Sequence, residues 1–330
     1  SHIIEYISNF LWGFLLIYVL IGVGIFFTIK LNFIQIVHFL HTFLVLKGSR
    51  TNTNKNISSF QALCVSLAAR VGTGNLAGVA IALTSGGPGA IFWMWIVAFV
   101  GMATSFAEST LAQLFKVKDD KGFFRGGPAY YMWSGLNAKW MGYIFAVLLI
   151  LCFGLAFNGV QANSISAAFY HAYHIPKYLT GIFLVVITAL IILGGLKRIA
   201  IFAELVVPFM AIGYLLLSLS IILIHIDKIP HILMLIIKSA FGINEFGSGI
   251  IGYSISQALI NGAKRGLFSN EAGMGSAPNA AATATPYPPH PASQGYVQML
   301  GVFIDTLLIC SATSFIILVS DEFTLNMQIS

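Results

Sequence analysis

Apolar residues fill long runs of this chain, and the runs are divided by short polar stretches. Helix needs about 20 residues to span the hydrocarbon of a bilayer, and eight runs reach or approach that length: Phe10 to Thr28, Ser59 to Thr84, Ala90 to Phe115, Trp140 to Tyr170, Tyr178 to Leu193, Ile199 to Ile224, Gly249 to Phe268 and Val297 to Ser320. Between the first two, Leu31 to Leu46 places apolar residues at helical spacing around His38 and His41, which predicts a helix lying along a membrane surface. Gly126 to Gly135, with Tyr130, Tyr131 and Trp133, predicts a second interfacial element. Ile232 to Ile237 is too brief to span, and predicts a segment folded against the outer face.

The pattern breaks inside two of the runs. Gly72-Thr73-Gly74-Asn75 interrupts the run from Ser59 to Thr84 near its middle, and Gly266 to Pro278 crowds Ser269, Asn270, Glu271, Gly273 and Gly275 at the end of another. Two glycines and an Asn invite unwinding. In a bilayer, unwound backbone survives only where protein buries it or where it lines a cavity, and its freed N–H and C=O groups then bind ligands or ions. The plainer reading is a tight helix crossing through small residues. A pair of broken helices at corresponding places in two halves points to a transporter site near the midplane. With the first span set aside, the breaks fall in the first and sixth of the remaining spans, where two inverted five-helix repeats would begin.

Composition agrees with a membrane protein: 58% of residues are hydrophobic and 8% charged, and the mean hydropathy is +0.87. The net charge of +6 fits membrane topology better than nucleic acid. With the N-terminus outside, the inner loops take Lys30, Lys47, Arg50, Lys55, Lys116, Lys118, Lys121, Arg125, Lys139, Lys197 and Arg198, and the outer loops take Lys177, Lys228 and Lys238. The first run follows nine residues that hold Glu5 and no Lys or Arg, so it reads as a retained span rather than a leader. Cys64, Cys152 and Cys310 all fall in predicted spans, which argues against a disulfide framework.

The chemistry of such a site follows from its parts. Exposed N–H groups of Gly72 to Asn75 and half-helix N-termini can hold a carboxylate. Carbonyls freed around Ala68 and Val71 can hold a hard cation such as sodium, and close backbone approach at glycine favours a compact substrate. Gln161 and Asn163 are amides inside the Trp140 to Tyr170 run, where each reads as helix-to-helix glue, with ligand contact an equal reading for Gln161. Charges within spans need partners or water, so Arg70, Glu108 and Glu271 form a candidate gate or ion pair, with Arg70 paired to one of the carboxylates. Other patterns carry less. His38 and His41 lack a third metal ligand nearby; Asn56-Ile57-Ser58 reads as a glycosylation sequon but faces inward on this topology; Gly72-x-Gly74-x-x-Ala77 follows no strand, so it is no dinucleotide site.

Gly86-Gly87-Pro88-Gly89-Ala90-Ile91-Phe92-Trp93-Met94-Trp95-Ile96-Val97-Ala98-Phe99-Val100-Gly101 resembles the signature of the alanine or glycine:cation symporters over its whole length. Gly72 to Gly78, Phe124 to Met132 and Gly266 to Pro278 are similar to further blocks of that family. The resemblance implies one transmembrane transporter domain over residues 1–330. It would be an all-α polytopic membrane protein of about 8 spans with a LeuT-type inverted-repeat core: an extra N-terminal span at 10–28, a first five-helix repeat at 59–224, and the incomplete start of a second at 249–320. It implies sodium-coupled symport of alanine, glycine or a similar small neutral amino acid across a prokaryotic plasma membrane, with no cofactor beyond the sodium ion. The substrate-binding candidates are Gly72, Thr73, Gly74, Asn75, Gln161, Ser269 and Asn270; Ala68, Val71 and Asn75 are the sodium candidates. Members of the family continue for about three more spans, so the chain is expected to lack the helix that completes a sodium site. Three competing readings remain: proton coupling through Glu271 or Glu108, a non-transporting remnant or subunit, and a membrane enzyme. The last has no catalytic array, zinc motif or phosphate loop to support it.

Overall fold

Helix forms along each of the apolar runs in the computed structural model, which describes residues 6–7, 10–50, 56–243 and 251–320. Lys55 and Gly249, named above, lie outside the described residues, as does Glu5. Leu11–Lys30, Gly89–Leu114, Lys139–Tyr173, Gly195–Ile224 and Pro291–Val319 are each long and apolar enough to cross a membrane. The other predicted spans take different forms. Ser59–Arg70 and Ala77–Gly86 are two halves of a broken helix, Lys177–Ile192 is apolar but shorter, and Ile251–Asn270 carries Lys264 and Arg265. The chain is therefore an all-α polytopic membrane protein in its essentials.

The Gly89–Leu114 helix is the axis of the fold. It packs against Leu11–Lys30, Ile251–Asn270, Ser276–Thr283 and the Pro291–Val302 end of the last helix, and buries Ile91, Met94, Ala98, Met102 and Ala103. The Lys139–Tyr173 helix instead shows most of its apolar surface outward, as a lipid-facing helix does. Ile229–Ala240, the segment predicted to fold against the outer face, buries Ile232, Ile236 and Ala240. Its Ser239 Oγ accepts a hydrogen bond from Gly89 N at 3.0 Å. Glycine is required there, because a Cβ on Gly89 would stand 2.4 Å from the Ala240 backbone nitrogen. Gly89→Ala is expected to cost about 1–3 kcal/mol and to lower the melting temperature in detergent.

The surface helix predicted from Leu31 to Leu46 is divided into Ile34–Val37 and Phe39–Gly48. His38 and His41 meet Tyr296 edge-on, with ring centroids 6.0 and 5.1 Å away. The predicted Gly126 to Gly135 element is the Pro128–Ser134 helix. Cys64, Cys152 and Cys310 are free thiols.

Two short strand pairs interrupt the helical pattern. Ile57–Ser58 runs parallel to Ala284–Thr285, which joins the approach to one broken helix to the exit of the other. Ser58 then caps the Ser59–Arg70 helix: its Oγ accepts from Gln61 N while its own N–H donates to Gln61 Oε1. The Asn56 sequon thus leads into buried backbone.

Val117–Lys118 pairs antiparallel with Phe124–Arg125. Asp119 closes that hairpin by accepting from Phe123 N, Lys121 N and Arg125 Nε. The Phe123 N–H, then the Arg125 side chain and the Lys121 N–H, hold its carboxyl below the usual range. A carboxylate with a depressed folded pKa stabilises fully above its unfolded value, about 3.9, and loses that contribution as pH falls through the folded value. Amide exchange at Lys121 and Phe123 is expected to stay protected from neutral pH to below that unfolded value. Asp119→Ala, which leaves no acceptor, should lose the protection at every pH.

Candidate functional site

The two breaks form because their residues prefer local bonds to helical ones. At the first, Val71 turns extended (φ −74, ψ 100), and Gly72 N donates to Asn75 Oδ1 at 3.0 Å. In a continuous helix that N–H would bond to the Ala68 carbonyl, which thereby loses its helical donor. At the second, Glu271, Gly273 and Gly275 all adopt positive φ (52, 81 and 84), and Asn270 Oδ1 takes the Ala272 N–H at 2.9 Å. Short polar side chains that bond to their own backbone compete with helix in this way.

Asn75 ties the breaks together. Its Nδ2 lies 3.2 Å from Ser269 Oγ, 3.1 Å from the Asp305 carbonyl, 3.4 Å from Cys310 Sγ and within hydrogen-bond distance of Asp305 Oδ1. Ser269 Oγ and Thr306 Oγ1 donate to Asp305 Oδ2 at 3.0 and 2.8 Å. Asn75, Ser269, Thr306 and Asp305 are all buried.

Gln161 meets the first break from the side. Its Oε1 accepts from Thr73 N at 3.2 Å, and only glycine at position 72 permits the approach, since a Cβ there would lie 2.8 Å from Gln161 Nε2. Gly74 turns its back on Ser269, whose Cα a Cβ would meet at 3.5 Å. Ala68, Val71, Gly72, Thr73, Gln161 and Phe157 line a cavity of about 710 Å³. A smaller one, about 110 Å³, adjoins Asn75 between Tyr214 and Ile309. Phe157 stacks on Phe268, with ring centroids 5.0 Å apart. Thr73 Oγ1 and Asn270 Nδ2 are buried without a hydrogen-bond partner, a state that polar atoms rarely keep unless a ligand or water meets them.

The structure thus brings Gly72, Thr73, Gly74, Asn75 and Gln161 to one place, with Ser269 behind Asn75; Ala68 and Val71 share the larger cavity. Asn163 faces outward. The charged candidates lie close by. Glu271 accepts from Ser276 Oγ, Glu108 Oε1 accepts from Gly273 N at 3.4 Å, and Arg70 is 2% exposed with all three guanidinium nitrogens unbonded. Among the described residues no carboxylate lies within 4 Å of Arg70, yet its charge acts through space on Glu108, Glu271 and Asp305.

Asp305 is the site residue that the sequence analysis passed over. It is an acid inside a predicted span, so the rule that singled out Glu108 and Glu271 applies to it equally.

The sodium:alanine symporter family matches residues 1–329. The chain is 52% identical over 311 residues to the amino-acid carrier protein AlsT of Bacillus subtilis, covering 94% of this chain and 65% of that protein. It is 51% identical over 324 residues to a probable sodium/glutamine symporter of the same organism, covering 98% of this chain and 66% of that protein. It is 42% identical over 326 residues to the sodium/alanine symporter AgcS of Methanococcus maripaludis, covering 96% and 70%. The chain spans about two thirds of the length of these relatives.

Proposed function

The chain belongs to the sodium:alanine symporter family, and from that premise we propose that it carries a small neutral amino acid, alanine or glycine, across a prokaryotic plasma membrane together with sodium. It acts as a carrier rather than an enzyme, with sodium as its coupling ion and no cofactor. Its N-terminus lies outside, and its core is a LeuT-type arrangement in which residues 59–224 form one five-helix repeat, residues 249–320 begin the next, and 10–28 precede both.

One observation carries the reading. In an unwound segment, the Thr73 N–H donates to an amide from another helix, Gln161, at a cavity large enough for a small amino acid, and the neighbouring Gly72 N–H is held by Asn75 Oδ1. Backbone N–H groups recognise carboxylate without a side-chain charge. Thr73 Oγ1 and Asn270 Nδ2, which lack partners, supply further polar contacts, and the Ala68 and Val71 carbonyls with Asn75 offer oxygen to sodium. Alternating access follows when bound ion and substrate together favour closure of the two broken helices around them.

The test is radiolabelled alanine uptake into proteoliposomes with and without an inward sodium gradient. Saturable uptake that collapses without the gradient supports the reading. Uptake driven equally well by a pH gradient in the absence of sodium overturns the coupling ion, and no uptake under either gradient overturns carriage by this chain.

A further inference from the structure

We propose that a basic cavity between the hairpin at 117–125 and the turn that opens the Gly195–Ile224 helix binds the phosphate of an anionic phospholipid headgroup. That this face is cytoplasmic rests on the topology proposed above; binding of the phosphate does not.

The cavity, of about 630 Å³, is walled by three separate segments: the hairpin, the turn, and the Ser276–Thr283 helix. Small-molecule sites run from about 300 to 1,000 Å³. Three exposed cations line it, Lys121 and Arg125 from the hairpin and Lys197 from the turn. The one acid in the lining is Asp119, whose carboxylate is already met by the Lys121 and Phe123 N–H groups and Arg125 Nε. Among the described residues, neither Lys121 nor Lys197 has an ion-pair partner. Arg125 gives only Nε to Asp119, which leaves its two terminal nitrogens, a pair that can take a phosphate in bidentate fashion. The hydroxyl of Tyr130 and the amide of Asn279 add neutral polar groups to the wall.

The helix end calls for the same sign of ligand. Gly195–Ile224 opens with Lys197 and Arg198, has no acid in its first turn, and receives no side-chain cap from Gly194. The N-terminal end of a helix carries partial positive charge, so two cations there are unfavourable until an anion joins them. The Arg198 side chain lies so close against Gly194 that no Cβ fits, which holds a fourth cation beside the turn.

The surroundings favour a lipid over a soluble anion. Leu193 and Leu196, 85% and 37% exposed, flank the turn, and Phe123, Phe124 and Tyr130 line the cavity from the other side. Pro128–Ser134, the predicted interfacial helix, follows directly on the hairpin. Cations among aromatic and exposed apolar residues at a helix end match headgroup depth, with room for acyl chains along the apolar faces. A bound headgroup bridges Ser276–Thr283, which follows the second break, to the turn between two other helices. It therefore bears on any movement of that break.

Lysine footprinting reads the site directly. In the purified chain, acetylation of each lysine by an N-hydroxysuccinimide ester is followed by mass spectrometry, with short-chain phosphatidylglycerol, short-chain phosphatidylcholine or inorganic phosphate added at equal concentration. Phosphatidylglycerol is expected to slow Lys121 and Lys197 at least about tenfold, and to leave Lys30, Lys47 and Lys139 within about twofold. Phosphatidylcholine should protect none of them. Lys197→Gln should raise the phosphatidylglycerol concentration that half-protects Lys121 by about tenfold, the loss of one charge-assisted hydrogen bond. Arg125→Gln should do the same, and it decides the matter if Lys197→Gln proves aggregated. Equal slowing of all five lysines would show attraction to the basic face at large and overturn the site, as would protection of Lys121 unchanged in both variants. Inorganic phosphate protecting as strongly as the lipid overturns the lipid source. The footprint requires no transport, so its failure sinks this inference alone. An intact footprint beside absent uptake sinks the transport reading alone.

Discussion

Asn75→Ala is expected to reduce alanine uptake by about a hundredfold or more and to destabilise the protein by about 2–4 kcal/mol. The side chain serves both breaks at once: Oδ1 holds Gly72 N–H, while Nδ2 faces Ser269 and Asp305. Truncation leaves a backbone donor and a carboxylate oxygen short of a partner in a place that is about 1% exposed. Hydrogen bonds to charged groups contribute about 1.5–3 kcal/mol, and an orphaned buried donor costs about 1–3 kcal/mol. The loss divides between folding and function, because the same bonds position the Gly72–Gly74 N–H groups. Asn75→Asp separates shape from chemistry. It is isosteric, yet it sets a second carboxylate against Asp305, so it should be worse than Ala in uptake unless the external sodium concentration is raised. Uptake by Asn75→Ala within twofold of the parent, at equal surface expression, would remove this junction from the transport site.

Much of this arrangement could be read along the chain, for a physical reason. Apolar runs and glycine-rich interruptions are local properties, so the helices, both breaks and the Ile229–Ala240 segment follow from composition over short windows. The partners that meet in space are another matter. Asn75 finds Ser269 and Asp305 across separations of 194 and 230 positions, and no window contains that information. Asp305 was detectable as a lone acid among Ile304, Thr306 and Leu307, but its role was not, since the role depends on the two breaks being side by side. The two-residue strands, Ile57–Ser58 with Ala284–Thr285 and Val117–Lys118 with Phe124–Arg125, are too short for any alternation to register. Asn270 illustrates a subtler limit. Its polarity marked it as a candidate contact, but one end of the amide is spent on Ala272 N, and only Nδ2 remains for a ligand.

Removing the charge of Arg70 should be the most damaging single change in the membrane core. The guanidinium is buried, and three buried carboxylates, Glu108, Glu271 and Asp305, which are 7%, 1% and 0% exposed, lie beyond ion-pair distance of it. It acts on all three and bonds to none. Arg70→Met keeps much of the aliphatic volume and leaves the acids without their cation. Loss of one member of a buried charge set costs about 3–5 kcal/mol. The expected result is therefore poor folding or a melting temperature well below that of the parent. The pattern of rescue carries the argument. If Arg70 served one carboxylate, neutralising that residue in the Arg70→Met background would restore stability and uptake, and neutralising the others would not. A cation shared among three predicts a different outcome, in which Glu108→Gln, Glu271→Gln and Asp305→Asn each recover part of the stability and none recovers all of it. Double-mutant cycles for the three pairs, read as melting temperatures, distinguish the cases. Coupling confined to one pair would show an ion pair that this conformation holds apart, and no coupling in any pair would show that Arg70 answers to water or to a ligand instead.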